Sequence, residues 1–266
     1  MNFTKYFIAG KDYILLRSLE GHLHADIKKA SALCDRHQGV GADGIFSFWQ
    51  NGDKIVQISG LLNNGQIMRD FSSASICACF DRFSESHAAD ITFTTKNEVI
   101  SEIKCDFSGN IPRIFYRIPS VPGSAACGHI NRRTEIGNRI LTVTSACFSG
   151  LHGVHFSDCR QSLDINYLGR HFSRNSLFCK KADFIIAQKT DCNTYEIDFY
   201  ENGTGCPRPT LSVFVATTLA AIKTGRQKFH DEINVISGEN KVSLICHSET
   251  EAEISCEIRK AAVCSI

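Results

Sequence analysis

The sequence has few of the residues that interrupt regular structure, since only 5 of its 266 residues are proline and 19 are glycine. It also lacks low-complexity stretches and blocks of like charge. Hydrophobic residues make up 43% of the chain and charged residues 21%, which is typical of a globular protein and excludes a disordered one. At roughly 100–200 residues per domain, we expect one large or two modest domains.

Further absences narrow the range of partners. The 29 Lys and Arg residues are balanced by 28 Asp and Glu residues, so the net charge of +1 indicates neither nucleic acid nor an acidic lipid surface. No apolar run reaches the roughly 20 residues of a membrane-spanning helix. The N-terminal segment lacks a basic region followed by a long apolar stretch, so no signal peptide is expected. We predict a cytoplasmic protein with no nucleic acid and no membrane as partner.

Cysteine, in contrast, is abundant, with 13 residues. No C-x-x-C pair occurs, and the closest pair, Cys77 and Cys79, has poor spacing for zinc, so no metal site is predicted. A secreted disulfide scaffold is normally shorter and has an even number of cysteines. We therefore interpret these cysteines as reduced and mostly buried thiols.

The two halves of the chain carry a weak internal repeat. A strand, an Asn-Gly turn, a loop, a hydroxyl residue and an apolar helix follow one another in residues 57–83 (QISGLLNNGQIMRDFSSASICACFDRF) and again in residues 196–222 (EIDFYENGTGCPRPTLSVFVATTLAAI). Both helices are apolar nearly all round, which predicts that each is wrapped by sheet. Free N–H groups at a helix N-terminus favour anions, so two facing halves would direct both helix starts at a carboxylate in one cleft.

A glycine-rich segment lies at residues 39–44, GVGADG, and matches the dinucleotide pattern G-x-G-x-x-G. It follows a predicted helix and precedes a predicted strand, which is the reverse of the context that this pattern requires. The wider segment 33–44, LCDRHQGVGADG, resembles the D-R-H-x-G-V-G-x-D segment of the diaminopimelate epimerase family. Further segments resemble that family in the same order and with similar spacing: 1–5 (MNFTK), 63–65 (NNG), 149–152 (SGLH), 168–169 (LG) and 200–205 (YENGTG).

This resemblance implies an α/β (α+β) fold of two pseudo-symmetric halves, each a central buried helix wrapped by mixed sheet. The halves would comprise residues 1–118 with 255–266, and residues 119–254. Members of the family are amino-acid isomerases of biosynthesis that need no pyridoxal phosphate or other cofactor: one thiolate removes the α-proton and a second thiol delivers a proton to the other face. The implied partner is a small amino acid or related carboxylate, and a homodimer is one arrangement left open.

The sequence departs from the family at both thiols. The first cysteine position aligns with Ser73, or with Ser72 if the loop gap moves, and the second aligns with Thr210. A hydroxyl is about as weak an acid as water, so it cannot remove an α-proton without a neighbouring base. Two-thiol epimerisation is therefore not expected, and Ser73 and Thr210 are predicted to mark the two sides of the site.

The remaining site residues come from the same alignment. Glu201 and His152 match the family, and both are catalytic candidates. Lys11 and Asp183 each stand where the family has Asn, and Asn202 stands where it has Arg. The Asn of the family's G-N-P-H segment is Gly150 here. The predicted substrate contacts are Lys11, Ser72, Asn64, Asn202, Arg208 and Asp183.

Three functions stay open at this point. One is a repurposed isomerase or lyase in which a single base, His152, Glu201 or Lys11, acts opposite a hydroxyl; in the related proline racemases a threonine at one cysteine position accompanies dehydration. Another is an amino-acid racemase with its thiol displaced to Cys206, next to Arg208, which suits an anionic group. The third is a ligand-binding pseudoenzyme, because a fold alone does not imply catalysis.

Overall fold

The computed structural model describes residues 2–16, 32–50, 54–68, 70–86, 88–95, 98–118, 128–178, 182–202, 205 and 208–265. The chain divides into two compact units, Met1–Pro119 with Ser255–Ile266, and Ser120–Ile254. Both units are mixed α+β structures dominated by sheet, as the fold class predicted from the sequence requires. In the ranges described, no helix is both long enough and apolar enough to span a membrane.

The first unit is one mixed sheet with one long helix. Its elements are β1 (Asn2–Ile8), β2 (Lys11–Leu16), β3 (Gly44–Gln50), β4 (Ile55–Leu62), helix α1 (Ser72–Phe83), β5 (Ala88–Thr95), β6 (Glu98–Asp106), β7 (Arg113–Arg117) and the returning strand β16 (Ile258–Ser265). The strands lie in the order β16-β1-β2-β3-β4-β5-β6-β7. Helix α1 packs against β1, β2, β5 and β6, and its first eight residues are all buried, so sheet surrounds its apolar surface.

The second unit repeats this plan with one additional helix. Its elements are β8 (Arg132–Ile136), β9 (Arg139–Cys147), β10 (Leu151–Phe156), α2 (Ile165–Phe172), β11 (Asp183–Asp191), β12 (Thr194–Tyr200), α3 (Leu211–Lys223), β13 (Glu232–Ser237), β14 (Asn240–Cys246) and β15 (Glu251–Ser255). The strands lie in the order β8-β9-β10-β11-β12-β13-β14-β15. Helix α3 is buried from Leu211 to Ala221 and packs against β9, β10, β11, β13 and β14.

The order of strand pairings confirms the repeat that the sequence predicts. From β1 to β6 the successive pairs are antiparallel, parallel, antiparallel, parallel and antiparallel. From β9 to β14 the successive pairs follow the same series. In each unit the buried helix lies in the parallel crossover between the fourth and fifth strands of that series. Each hydroxyl-bearing helix start therefore occupies the same topological position in its unit.

Helix α2 begins at Ile165 because of the residue that precedes it. Asp164, in an extended conformation, is its N-cap, and the carboxylate accepts the backbone N–H groups of Asn166 and Tyr167 at 2.9 and 3.0 Å. Because the N-cap residue has an extended backbone, the helix cannot continue through Asp164 towards the N-terminus. The residues before it form only a short 3₁₀ turn at Arg160–Ser162.

Replacing Asp164 by alanine should destabilise the second unit by about 1 kcal/mol, because two first-turn N–H groups lose their acceptor. Urea unfolding measures the change. Asp158→Ala is the control, because Asp158 is exposed and precedes the helix, so its replacement should change stability by no more than about 0.5 kcal/mol. Equal effects of the two substitutions would contradict the capping role of Asp164.

Two glycines allow aromatic rings to pack directly on the backbone of the second unit. A Cβ added at Gly153 of β10 would lie 2.2 Å from Cζ of Phe172, and one added at Gly169 of α2 would lie 2.1 Å from Cγ of Tyr200. Neither distance is tolerable for real atoms. The Leu-Gly pair at residues 168–169 is thus explained by packing, since the ring of Tyr200 lies where a side chain of residue 169 would be.

A buried carboxylate organises the glycine-rich segment of the first unit. Both oxygens of Asp12 accept hydrogen bonds from the guanidinium of Arg36, at 2.7 and 3.0 Å, and Nζ of Lys5 lies 3.1 Å away. The backbone N–H of Asp12 donates to Asp43, and that of Asp43 donates back to the Asp12 carboxylate. Burial opposes ionisation of Asp12, but Arg36, Asp43 and Lys5 together hold its pKa well below the usual range.

Candidate active site

The first unit presents a helix start with buried hydroxyl groups. Ser72, Ser73 and Ser75 lie in the first turn of α1 and are fully buried. The hydroxyl of Ser75 donates to the carbonyl of Phe71 at 2.7 Å, whereas Oγ of Ser72 has no hydrogen-bond partner in the part of the chain that the structure describes. The N–H of Ser72 donates to Asp70 at 2.8 Å. The functional groups at the start of α1 are therefore the hydroxyls of these serines.

Two predicted substrate contacts of the first unit have different surroundings. Lys11 begins β2 and is only 3% exposed, so it is not a solvated surface lysine. Burial raises the pKa of the nearby Asp43 carboxyl, and the charge of Lys11 acts against that rise. Asn64 is exposed, and its Oδ1 accepts the N–H of Gln66 at 3.0 Å within the turn that ends at Gly65. As contacts to a substrate, both residues stay predictions.

In the second unit, strand pairing brings His152 and Asp183 together. Strands β10 and β11 are parallel, and their register places His152 beside Asp183. Nδ1 of His152 lies 3.6 Å from Oδ2 of Asp183. The histidine side chain is 1% exposed and the aspartate side chain 21%. A buried imidazole thus faces a carboxylate that is partly open to solvent.

The neighbouring strand end fixes the other oxygen of this carboxylate. Strand β12 pairs Tyr200 with Phe184, so Glu201 and Asn202 follow beside Asp183. The backbone N–H of Asn202 donates to Oδ1 of Asp183 at 2.9 Å. Glu201 exchanges two backbone hydrogen bonds with Gly205, at 2.6 and 2.9 Å. Gly205 has a φ of +92°, a backbone conformation that favours glycine.

A strained turn supports the other side of the His152 ring. The N–H of Phe148 donates to the carbonyl of Gly150 at 3.0 Å, and the intervening Ser149 has a φ of +54°. A Cβ added at Gly150 would lie 3.4 Å from Nε2 of His152. The two ring nitrogens therefore differ in surroundings, since Nδ1 faces a carboxylate and Nε2 faces a residue without a side chain.

Thr210 occupies the N-cap position of α3, but its side chain does not make the capping hydrogen bond. It is extended and buried, and its Oγ1 lies 2.9 Å from Oγ of Ser212 rather than accepting a first-turn N–H group. Arg208, two residues earlier, is exposed. Cys206 lies outside the described residues, so the hypothesis of a displaced thiol at this position stays a prediction.

The thiols nearest the first helix start are unsuited to act as bases. Cys77 and Cys79 are fully buried in α1, as the prediction of mostly buried thiols requires. Burial raises the pKa of both thiols well above the usual range. Burial also raises the pKa of Cys34, Cys246 and Cys256 to about 12.

Cys147, opposite Leu151 at the start of β10, is disulfide-bonded. The expectation that all cysteines are reduced is therefore wrong for this residue. Within the described ranges, no group of three or more His, Cys, Asp or Glu side chains is arranged to hold a metal ion.

The pairing of His152 with Asp183 is the feature that sequence reasoning missed, because Asp183 was predicted only as a substrate contact. Each of the two residues stands at or next to the first residue of its strand. That coincidence was visible in the sequence, but it acquires meaning only when β10 and β11 are known to be parallel neighbours.

Comparison with known proteins gives matches along most of the chain. No protein-family model matches it. Diaminopimelate epimerase 1 of Nostoc sp. is 25% identical over 249 residues, which cover 85% of each chain. The diaminopimelate epimerase of Clostridium perfringens is 23% identical over 271 residues, which cover 92% of each chain.

Solved structures show a similar fold at lower identity. A probable proline racemase from Agrobacterium radiobacter K84, with bound carbonate, has a TM-score of 0.70 and 9% identity, covering 100% of this chain and 92% of its own. A phenazine biosynthesis protein of the PhzF family from Bacillus anthracis has a TM-score of 0.69 and 11% identity, covering 100% and 98%. The chain therefore has the fold of the pyridoxal-phosphate-independent racemases and epimerases, and in sequence it is a divergent relative of the diaminopimelate epimerases.

Proposed function

We propose that this protein is an isomerase that transfers a proton on one face of an amino acid or related small carboxylate, with His152 as its base and without pyridoxal phosphate or a metal ion. The observation that carries the proposal is the buried His152 beside Asp183. It supplies a base in a chain whose two thiol positions align with the hydroxyl residues Ser73 and Thr210. The names of the relatives, which are epimerases and racemases, support the reaction class.

The chemistry follows from the ordinary pKa of imidazole, about 6.5, which lets a neutral histidine accept and return a proton near neutral pH. Nε2 of His152 takes the α-proton, and the electron pair of the C–H bond delocalises into the substrate carboxylate. The same nitrogen then returns the proton to a conjugated atom on the same face, which completes the isomerisation, whereas return to the α-carbon gives only exchange with solvent. A substrate with a leaving group at the next carbon would lose that group instead, which is the lyase form of the reaction.

The buried charge of Lys11 in the first unit favours the binding of a carboxylate. The hydroxyls of Ser73 and Thr210 act as hydrogen-bond donors, because they are too weakly acidic to serve as bases alone. Their contribution is to stabilise the negative charge that develops on the carboxylate.

A single base has a stereochemical consequence that separates this proposal from the two-thiol reaction. Two thiols on opposite faces exchange the α-proton with inversion. One base returns the proton to the face from which it was taken, so solvent deuterium should enter with retained configuration. The experiment incubates the protein in D₂O with separate L- and D-amino acids, diaminopimelate and hydroxyproline, and follows the α-proton signal by ¹H NMR and the configuration by chiral chromatography.

For the substrate that exchanges, His152→Gln should slow deuterium incorporation by about 10²–10⁴-fold, because the proton acceptor is lost. The matched control is His171→Gln, since His171 is an exposed histidine of α2 bonded to the carbonyl of Tyr167. This control should exchange at the wild-type rate.

Three other results would count against the proposal. Exchange with inversion would restore a two-base reaction. Exchange that survives His152→Gln but disappears in Cys206→Ala would favour the displaced thiol. A ligand that raises the melting temperature without any exchange would favour the non-catalytic binding protein, for which the hydroxyls at both thiol positions are the supporting observation.

A further inference from the structure

The carboxylate of Asp183 is held between two strands in a way that a simple substrate contact does not require. Its Oδ1 accepts the backbone N–H of Asn202 at 2.9 Å, and its Oδ2 faces Nδ1 of His152 at 3.6 Å. The parallel register of β10 and β11 places the two residues side by side, and the bond from Asn202 holds Oδ1. Each oxygen has its own partner inside the protein.

The opposite side of the imidazole is arranged differently. Gly150 lies next to Nε2, and the preceding turn is closed by the bond from Phe148 and by the left-handed backbone of Ser149. A histidine whose Nδ1 proton is held by a carboxylate presents the lone pair of Nε2. The two ring nitrogens of His152 therefore differ, with a carboxylate oxygen 3.6 Å from Nδ1 and a residue without a side chain beside Nε2.

We propose that Asp183 is a positioning residue, which holds Nδ1–H of His152 and so selects the tautomer in which Nε2 accepts the substrate proton. This inference rests on the proposed function, because it assigns the role of Asp183 in the same proton transfer. No covalent bond forms in the protein, since the proton moves from substrate carbon to Nε2 and back while the proton on Nδ1 stays in place.

Of the residues that the structure describes, Asp183 is the charged side chain that acts most strongly on His152, because the other neighbours of His152 are uncharged or lie farther away. Ala146 of β9 is the cross-strand partner on the other side of His152 and is uncharged. Helix α3, which packs against β10, has no ionisable side chain from Leu211 to Ile222. The other carboxylate that the strand ends bring to this part of the unit is Glu201, which follows β12. The remaining ionisable residues of β10 and β11 are His155, Lys189 and Asp191, and they lie farther along their strands.

Burial makes this pairing effective. An imidazole that gains a proton becomes a cation, which is unfavourable in a side chain that is 1% exposed. A carboxylate at 3.6 Å stabilises that cation, and the separation shortens to a charge-assisted hydrogen bond as the positive charge appears. Without it, the two neutral tautomers compete, and Nε2 carries its own hydrogen in part of the molecules.

The first test reads the histidine directly and does not depend on turnover. Long-range ¹H–¹⁵N NMR of the histidine rings reports which nitrogen carries the proton, and a pH series reports its titration. In the wild type, His152 should be the Nδ1–H tautomer. In Asp183→Asn, the Nε2–H tautomer should gain population and the pKa of His152 should fall. Asp191→Asn is the control, because Asp191 ends the same strand and is exposed.

The second test uses the exchange assay across pH. Asp183→Asn should lower the deuterium exchange rate by about 10²–10⁴-fold, mainly in kcat, and shift the acidic limb of the pH profile to lower pH. Asp183→Glu should recover part of the rate, because it restores a carboxylate. If Asp183→Asn raises KM alone and leaves the pH profile unchanged, Asp183 is a substrate contact and the inference fails.

The two tests separate this inference from the proposed function. A wild type that exchanges no substrate proton, but holds His152 in the Nδ1–H tautomer through Asp183, supports the pairing and overturns the reaction. An unchanged His152 tautomer and titration in folded Asp183→Asn overturns the pairing, whatever the exchange assay gives. Circular dichroism and thermal melting establish that each variant is folded, and Asp183→Glu repeats the NMR test if the asparagine variant is not.

Discussion

Gly169→Ala should destabilise the second unit by about 2 kcal/mol, although alanine is the better helix former. The added Cβ would lie 2.1 Å from Cγ and 2.4 Å from Cβ of Tyr200. These atoms are close to the backbone of β12, so the ring cannot swing aside. Overpacking of this kind destabilises by about 3 kcal/mol, and the gain in helix propensity of about 1 kcal/mol offsets only part of it.

The measurement is thermal unfolding, in which the midpoint temperature of the second unit's transition should fall by about 5–10 °C. Arg170→Ala places the same residue at the neighbouring exposed position of α2 and should change stability by no more than about 0.5 kcal/mol. In a Tyr200→Ala background, Gly169→Ala should lose most of its effect, because the opposing ring atoms are gone. Strict additivity of the two substitutions would refute the packing explanation.

Asp12→Asn should destabilise the first unit by about 3 kcal/mol. The substitution keeps the shape of the side chain and removes the charge that Arg36 and Lys5 face. The Asp12 side chain is fully buried, so these cations lose a partner that solvent only partly replaces. The control is Asp90→Asn, which breaks the ion pair between Asp90 and Lys54, whose side chains are 53% and 71% exposed respectively. This substitution should lower the free energy of unfolding by less than about 1 kcal/mol.

The Asp12 effect should depend on pH in one direction. The folded-state pKa of Asp12 lies below its unfolded value of about 3.9, so the stabilisation is complete above that pH and is lost as the pH falls through the folded pKa. The stability difference between wild type and Asp12→Asn, measured by urea unfolding, should be largest near pH 7 and should narrow below about pH 4. A difference that widens with acidity would contradict the assignment.

Much of the fold was predictable because its two central helices are unusually apolar. A helix such as α3 has almost no polar surface to place in water, so only a surrounding sheet accommodates it. The Asn-Gly pairs and the hydroxyl residues then allowed the two repeated segments to be aligned with each other. The boundary of α2 was not predictable, because residues 158–163 include several that are compatible with helix, and the cap at Asp164 decided the outcome.

The candidate site was less accessible to sequence reasoning. Alignment with the family brought His152 and Asp183 to attention separately, as a catalytic candidate and a substrate contact. Their pairing depends on parallel strands that are distant in sequence, and no local pattern encodes it. The packing roles of Gly153 and Gly169 could not be predicted either, because the neighbouring sequence does not distinguish a glycine that makes room for a ring from any other glycine.

Strand β16 has a consequence for how the protein is made. It pairs with β1 along the register from Asn2 with Ser265 to Ile8 with Ile258. The whole second unit lies between these partners in the chain. During synthesis on the ribosome, the edge of β1 therefore stays uncovered until translation has passed the second unit. We expect the nascent second unit to become compact first, and a chaperone that shields open strand edges to act on the early-emerging half.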